Sequence, residues 1–145
     1  MSIPTPRPGL VIRYSFLWSS ERDRGAVEGS KDRPYAIVIA MPTPGGDRGE
    51  VRAIVAPVTH SPPVDPDTSL EIPANVCRRL GLDGARHWIR FDELNRFTWP
   101  GYDLRPRPDG SYEYGMLPRG LFEELRQGII GAQRARRGAI VGRDD

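Results

Sequence analysis

Two apolar runs dominate the pattern of the chain. Tyr35-Ala36-Ile37-Val38-Ile39-Ala40 is followed, across a Pro/Gly-rich stretch at 42–49, by Val51-Arg52-Ala53-Ile54-Val55-Ala56. Short continuous runs bounded by turn residues predict two paired strands, buried on both faces or nearly so. Each run carries a polar cluster at one end: Arg33 just before the first, and Thr59, His60 and Ser61 just after the second. As antiparallel neighbours the strands would bring those ends together. A guanidinium, two hydroxyls and an imidazole would then share one spot beside a rigid sheet.

The rest of the pattern is mostly β. Leu10 to Trp18 alternates, with Ile12, Tyr14, Phe16 and Trp18 on one side, and predicts a half-buried strand. A long polar loop (19–33) follows; loops of that length in a small domain are usually functional or disordered. Ser69 to Ile72 predicts a short strand, and Pro73 to Leu82 a short helix with proline at its first turn and Gly81 near its end. His87 to Asp92 alternates as a strand, with Trp88, Arg90 and Asp92 on one face. Pro106 to Gly110 reads as a turn that leads into a short hairpin through Tyr112 and Tyr114. Leu117, Leu121, Leu125 and Ile129, four apart, mark the apolar face of a C-terminal helix, weakened by Gly120, Gly128 and Gly131. Past about Gln133 the tail, 134–145, is basic and expected to fray. Strands outnumber helices and connections are short. The pattern predicts a mainly β fold, a small antiparallel barrel with a short helix and a C-terminal helix packed on it.

Composition narrows the function classes. A chain of 145 residues implies one domain that can bury a core without staples. The single cysteine, Cys77, excludes an internal disulfide and fits a reducing compartment. There is no basic-then-apolar leader, and no apolar run approaches the roughly 20 residues of a membrane helix. A cytoplasmic, soluble protein is expected. The net charge of +2 makes no case for nucleic acid. Of the 21 basic residues, however, all but Lys31 are arginine. That bias fits either a GC-rich genome or bidentate recognition of phosphate, and composition does not separate the two.

Each candidate residue also has a plain structural reading. Arg33 could pair with Asp32 or Glu28 at the strand end. Thr59 could cap a turn. Arg90 and Asp92, two apart on a strand, could pair with each other. In extended backbone His60 points away from Thr59. Trp88 and Trp99 read as core rather than as stacking platforms. His60 and His87 have no third histidine and no cysteine pair to complete a zinc set, so no metal site is expected.

Taken together, several blocks resemble the MazF/PemK family of toxin endoribonucleases. They are Gly9-Leu10-Val11-Ile12, then Glu28, Gly29 and Arg33-Pro34 at the end of the long loop, and the apolar strand 35–40. They continue with Pro57-Val58-Thr59-His60-Ser61, Trp88-Ile89-Arg90-Phe91-Asp92-Glu93 and the helix after Leu117. The resemblance spans Gly9 to about Gln133. It departs in the long loop, where Val27 stands near the place of a histidine that some members carry, and in an expanded 62–87 segment.

The resemblance implies an SH3-like (CcdB/PemK-like) barrel and the toxin half of a type II toxin–antitoxin pair. The implied toxin acts as a homodimer, cuts single-stranded RNA (mRNA) at short sequences without metal or cofactor, and is neutralised by an antitoxin through which any contact with operator DNA is made. Matched residue by residue, it puts Arg33, Thr59, Arg90 and Asp92 in the catalytic set and Glu28, Lys31, His60 and Ser61 on the substrate side. The chemistry is self-consistent. RNA carries its own nucleophile in the 2′-OH, so an enzyme needs a base, a cation for the charge on phosphorus and an acid for the leaving oxygen. Asp92 is a sensible base, Arg33 and Arg90 are phosphate clamps, and Thr59 orients a phosphate oxygen. Two rivals remain. Ser69 to Asp92 faintly resembles the DNA-binding hairpin of AbrB-type regulators. A non-catalytic relative on the same barrel would resemble the gyrase-poisoning CcdB toxins.

Overall fold

A computed structural model of the chain describes residues 3–15, 32–42, 50–100, 104–135 and 139–142. Strand β1 is Leu10–Ser15, β2 Asp32–Pro42 and β3 Val51–Thr59. A 3-10 turn at Pro66–Thr68 leads to β4, Ser69–Ile72, and helix α1, Ala74–Arg79. Then come β5 (His87–Arg90), β6 (Glu93–Thr98), β7 (Glu113–Met116), α2 (Arg119–Arg134) and β8 (Ala139–Gly142). The described strands form one curled, mostly antiparallel sheet in the order β4-β5-β3-β2-β1-β7, with β6 joined to β3 and β8 to β6. The fold is mainly β, in keeping with a small barrel.

The two apolar runs are antiparallel neighbours, as their pattern predicts. Tyr35 pairs with Pro57 and Ala36 with Ala56. Their continuity follows from burial on both faces. Tyr35, Ile37, Ala53 and Val55 join Leu10, Ile12, Tyr14 and Phe97 in one core. Ala36, Val38, Ala56 and Val58 join Val11, Ile89, Phe91, Leu94 and Leu125 in the other, under α2. Strand β1 is therefore buried on both faces rather than half-buried; Arg13 is the partial exception. The register slips between Ile37 and Ile39, so β2 carries an extra residue there. Such a bulge bends and twists the sheet.

Strand β3 organises the site by pairing along one edge with two successive strands. Arg52 to Val55 pair with Thr98 to Asn95 of β6, while Val58 and Thr59 pair with Ile89 and Trp88 of β5. Strands β5 and β6 thus form one kinked ribbon, with the kink at Phe91 and Asp92. The predicted strand through Asp92 ends at Arg90 for this reason. Phe91 donates its backbone N–H to Thr68 O at 3.0 Å instead.

Three further elements differ from the sequence reading. Strand β6 is hidden in the sequence because Glu93, Asn95 and Arg96 interrupt its pattern, although Asn95 is fully buried. The turn near Gly110 is present and closed, with Arg107 N–H donating to Ser111 O at 2.6 Å and Gly110 N–H to Arg107 O at 2.8 Å, but the strand beyond it, β7, pairs with β1. Part of the tail expected to fray returns as β8 and pairs in parallel with β6. Val141, buried there, supplies the reason. The segment from β4 to β5, with its faint likeness to a regulator hairpin, is built into the sheet: β4 pairs with β5 and β5 with β3. No helix among the described residues is long and apolar enough to cross a membrane.

Candidate functional site

The strand ends meet as the antiparallel pairing requires. Arg33 and Pro34 of β2 and Thr59, His60 and Ser61 at the end of β3 line one open cleft of about 420 Å³. Arg13 of β1, paired with Pro34 across the strands, lines it too, as do His87 and Tyr114. Two guanidinium groups, three hydroxyls and two imidazoles therefore border one space, and no carboxylate is among its described lining residues. The Arg13 Nε is buried and makes no hydrogen bond to the described protein atoms. The two arginines of the lining suit the cleft to an anion, because guanidinium groups pair strongly with phosphate oxygens.

Thr59 and His60 share this cleft despite their adjacency. Alternation holds only inside the strand; β3 ends at Thr59, and His60 lies in a bend. The expectation that His60 points away is corrected accordingly. Thr59 is buried, and its Oγ1 accepts the Ser61 N–H at 3.1 Å. It caps the turn, as its plain reading has it, and places the Ser61 backbone at the cleft's edge.

Arg90 and Asp92 lie one cleft away. A space of about 330 Å³ is lined by Pro62, Val64, Asp65, Thr68, Arg90 and Asp92, and it meets the first cleft at Ser61. The kink at Phe91 turns the two side chains toward each other. Arg90 Nε donates to Asp92 Oδ1 at 2.9 Å and its Nη2 to Oδ2 at 2.8 Å, a bidentate fork that is mostly shielded from solvent. The sequence set Arg33, Thr59, Arg90 and Asp92 is thus divided between two adjoining clefts. Glu28 and Lys31 lie outside the described residues.

A third cluster borders the first cleft. Helix α1 ends in a Schellman-type turn, with Gly81 in the left-handed region at φ 74°. Leu82 N–H donates to Cys77 O at 3.0 Å and Gly81 N–H to Arg78 O at 3.1 Å. Asp83 follows directly. One carboxylate oxygen, Oδ1, accepts the Ala85 N–H at 3.0 Å and lies 3.1 Å from His87 Nε2, while Oδ2 lies 3.4 Å from His60 Nε2. The Ala85 N–H above all, with the two imidazoles beside it, holds the Asp83 carboxyl below the usual range. The imidazole rings are 4.5 Å apart, centroid to centroid. His87 is buried, whereas the His60 and Asp83 side chains are more than half exposed.

The sequence singled out Arg33, Thr59, His60 and Ser61, and the fold unites them. It missed Arg13, read as the polar side of an alternating strand, and Asp83, which it did not single out. Trp88 is core as expected, buried with Arg86 stacked 4.9 Å from its ring centre. Compared with known proteins, the chain matches no family model, no curated relative and no solved structure.

Proposed function

We propose that the chain is the toxin of a type II toxin–antitoxin pair, an endoribonuclease of MazF/PemK type on an SH3-like barrel. The observation that carries this reading is the cleft that Arg13, Arg33 and Thr59 line together, with no carboxylate among its described lining residues. Such a cleft fits a phosphodiester. Two fixed guanidinium groups can take up the charge that builds on phosphorus in the transition state. The Thr59 hydroxyl is engaged with the Ser61 N–H, whereas RNA brings its own nucleophile, so attack falls to the 2′-OH. The O2′–P bond forms as the P–O5′ bond breaks. One fragment is left with a 2′,3′-cyclic phosphate and the other with a 5′-hydroxyl. Arg13 and Arg33 hold the reacting phosphate. An RNA chain crossing Ser61 passes from them to the adjoining cleft, where the Arg90–Asp92 pair meets the next nucleotide. His60, in the cleft of the reacting phosphate, and Asp92, beyond Ser61, are the candidate acceptors of the 2′-OH proton, and water in the open cleft protonates the leaving O5′. Among the described residues no pair of acidic side chains lines the first cleft to hold two Mg²⁺ ions, and the guanidinium charge would stand in their place.

The same reading carries a homodimer, cytoplasmic action, and neutralisation by an antitoxin whose acidic-apolar segment covers the arginines. Operator DNA would be contacted only through that antitoxin.

The test is a labelled single-stranded oligonucleotide incubated in EDTA, its product ends probed with kinase and phosphatase. Cleavage is expected for RNA, but not for DNA or for RNA carrying 2′-O-methyl at the cut site. Arg33→Ala should lose on the order of 100-fold or more in rate. Arg33→Lys should not restore it, because an ammonium cannot reproduce the fork. Asp92→Asn and His60→Gln compared side by side rank the two candidate proton acceptors. A 5′-phosphate product, or activity only with added Mg²⁺, would overturn the reading. Inhibition of gyrase without RNA cleavage would replace it with the non-catalytic rival.

A further inference from the structure

We propose that His60, Asp83 and His87 form a binding site for one divalent transition-metal ion of the zinc class. The three donors come from three elements: the bend after β3, the turn after α1 and the first residue of β5. Their ligand atoms all lie within 4.8 Å of one another. Zinc bonds to nitrogen and carboxylate oxygen are about 2.0–2.2 Å long, so the edges of a tetrahedral site are about 3.3–3.5 Å. Two donor pairs already approach that size, one through each oxygen of the same carboxylate: His60 Nε2 lies 3.4 Å from Asp83 Oδ2 and His87 Nε2 lies 3.1 Å from Oδ1, so Asp83 can present its carboxylate edge to both rings. The remaining imidazole–imidazole edge closes by rotation of His60, which is the exposed ring and free of packing constraint on most of its surface.

The donor set favours this metal class over Mg²⁺ or Ca²⁺, which take oxygen ligands almost throughout. Two imidazoles and one carboxylate leave at least one coordination position open to water or an anion. The site is also partly preorganised. His87 is held by the fold with only 5% of its side chain exposed, and the Ala85 N–H fixes the Asp83 carboxylate. The Arg13 and Arg33 guanidinium groups on the adjoining cleft oppose a cation, which keeps the expected affinity on the order of micromolar rather than nanomolar.

This proposal rests on the donor geometry and not on RNA cleavage. Untagged full-length protein is titrated with Zn²⁺ by calorimetry and with Co²⁺ by visible absorption, in a buffer that does not bind metal. One ion per chain is expected, with a Co²⁺ d–d band and a rise in Tm with added Zn²⁺. His60→Asn and Asp83→Asn change exposed side chains, so folding is retained and circular dichroism verifies it. Each should weaken binding at least about tenfold and abolish the Co²⁺ band. His87→Gln should do the same, but its buried position makes the two exposed variants the deciding ones. Absence of one-to-one binding below about 1 mM, or affinity in His60→Asn and Asp83→Asn equal to that of the parent protein, would overturn the site and leave a plain imidazole–carboxylate cluster. RNA cleavage in EDTA bears only on the function proposed earlier, so the two can fail separately.

Discussion

Gly128 makes an unusual demand on helix α2. A glycine in a helix interior is about 1 kcal/mol less favourable than alanine, so from sequence alone Gly128→Ala and Gly131→Ala should both stabilise. The structure separates them. A Cβ on Gly131 would meet nothing within 4 Å, whereas a Cβ on Gly128 would lie 2.8, 3.0 and 3.0 Å from three ring atoms of Phe91. Those separations are well inside van der Waals contact, and Phe91 is buried in the core beneath the helix. Overpacking of this kind is worth about 1–3 kcal/mol. Gly131→Ala should therefore gain about 0.5–1 kcal/mol, a rise of roughly 2–4 °C in Tm. Gly128→Ala should fall below it by about 1–3 kcal/mol, because the clash offsets or exceeds the helix gain. Urea unfolding at matched m-values, with Tm by calorimetry, reads both. Equal stabilisation by the two substitutions would refute the seating of α2 on Phe91. The consequence reaches the site, because Phe91 is the kink between Arg90 and Asp92, and a displaced ring loosens their fork.

Other expectations follow from the same geometry. Arg13→Ala should slow RNA cleavage by about tenfold or more while leaving Tm nearly unchanged; single-turnover rates beside a melt test it, and unaltered cleavage would remove Arg13 from the phosphate site. Arg90→Ala should destabilise by about 1–3 kcal/mol, since it strands a largely shielded carboxylate, and the Arg90→Met/Asp92→Leu double variant should recover part of that loss in a double-mutant cycle. Burial pushes the Cys77 thiol above its ordinary range. Its folded-state pKa is raised, so the stability it contributes is complete below the unfolded thiol value of about 8.5 and is lost as pH rises through the folded one. Cys77→Ser should show a weaker loss of stability than the parent between about pH 8 and 10 in urea titrations.

What could be read from the sequence was what local pattern controls. The runs at β2 and β3 announce themselves because both faces are buried, and from their antiparallel pairing the meeting of Arg33 with Thr59 and Ser61 follows at once. Helix α2 was legible through its four-residue spacing, and α1 through Pro73 and Gly81. The misses share a different cause: they depend on partners far away in the chain. Strand β8 is four residues in a basic tail, and only pairing with β6 and burial of Val141 make it a strand. Arg13 looks like the solvent side of an alternating strand until β2 and β7 are laid on either side of β1.

Asp83 shows why the candidate metal cluster escaped a sequence reading that did consider metal. The expectation weighed histidines and cysteines because those are rare enough to carry information; the chain has two of one and one of the other. A carboxylate is an equally good third donor, but 19 acidic residues compete for the role, and spacing along the chain selects none of them. The selection is made by Gly81. Its left-handed conformation ends α1 and turns the chain so that Asp83 points back at His87, four residues on and anchored in β5, while β5's pairing with the end of β3 brings His60 to the same place. Two of those steps are long-range pairings and one is a backbone angle, so the cluster exists only once the sheet has closed. A substitution that forbids the turn, Gly81→Val, should therefore separate Asp83 from both imidazoles even though it touches none of the three donors.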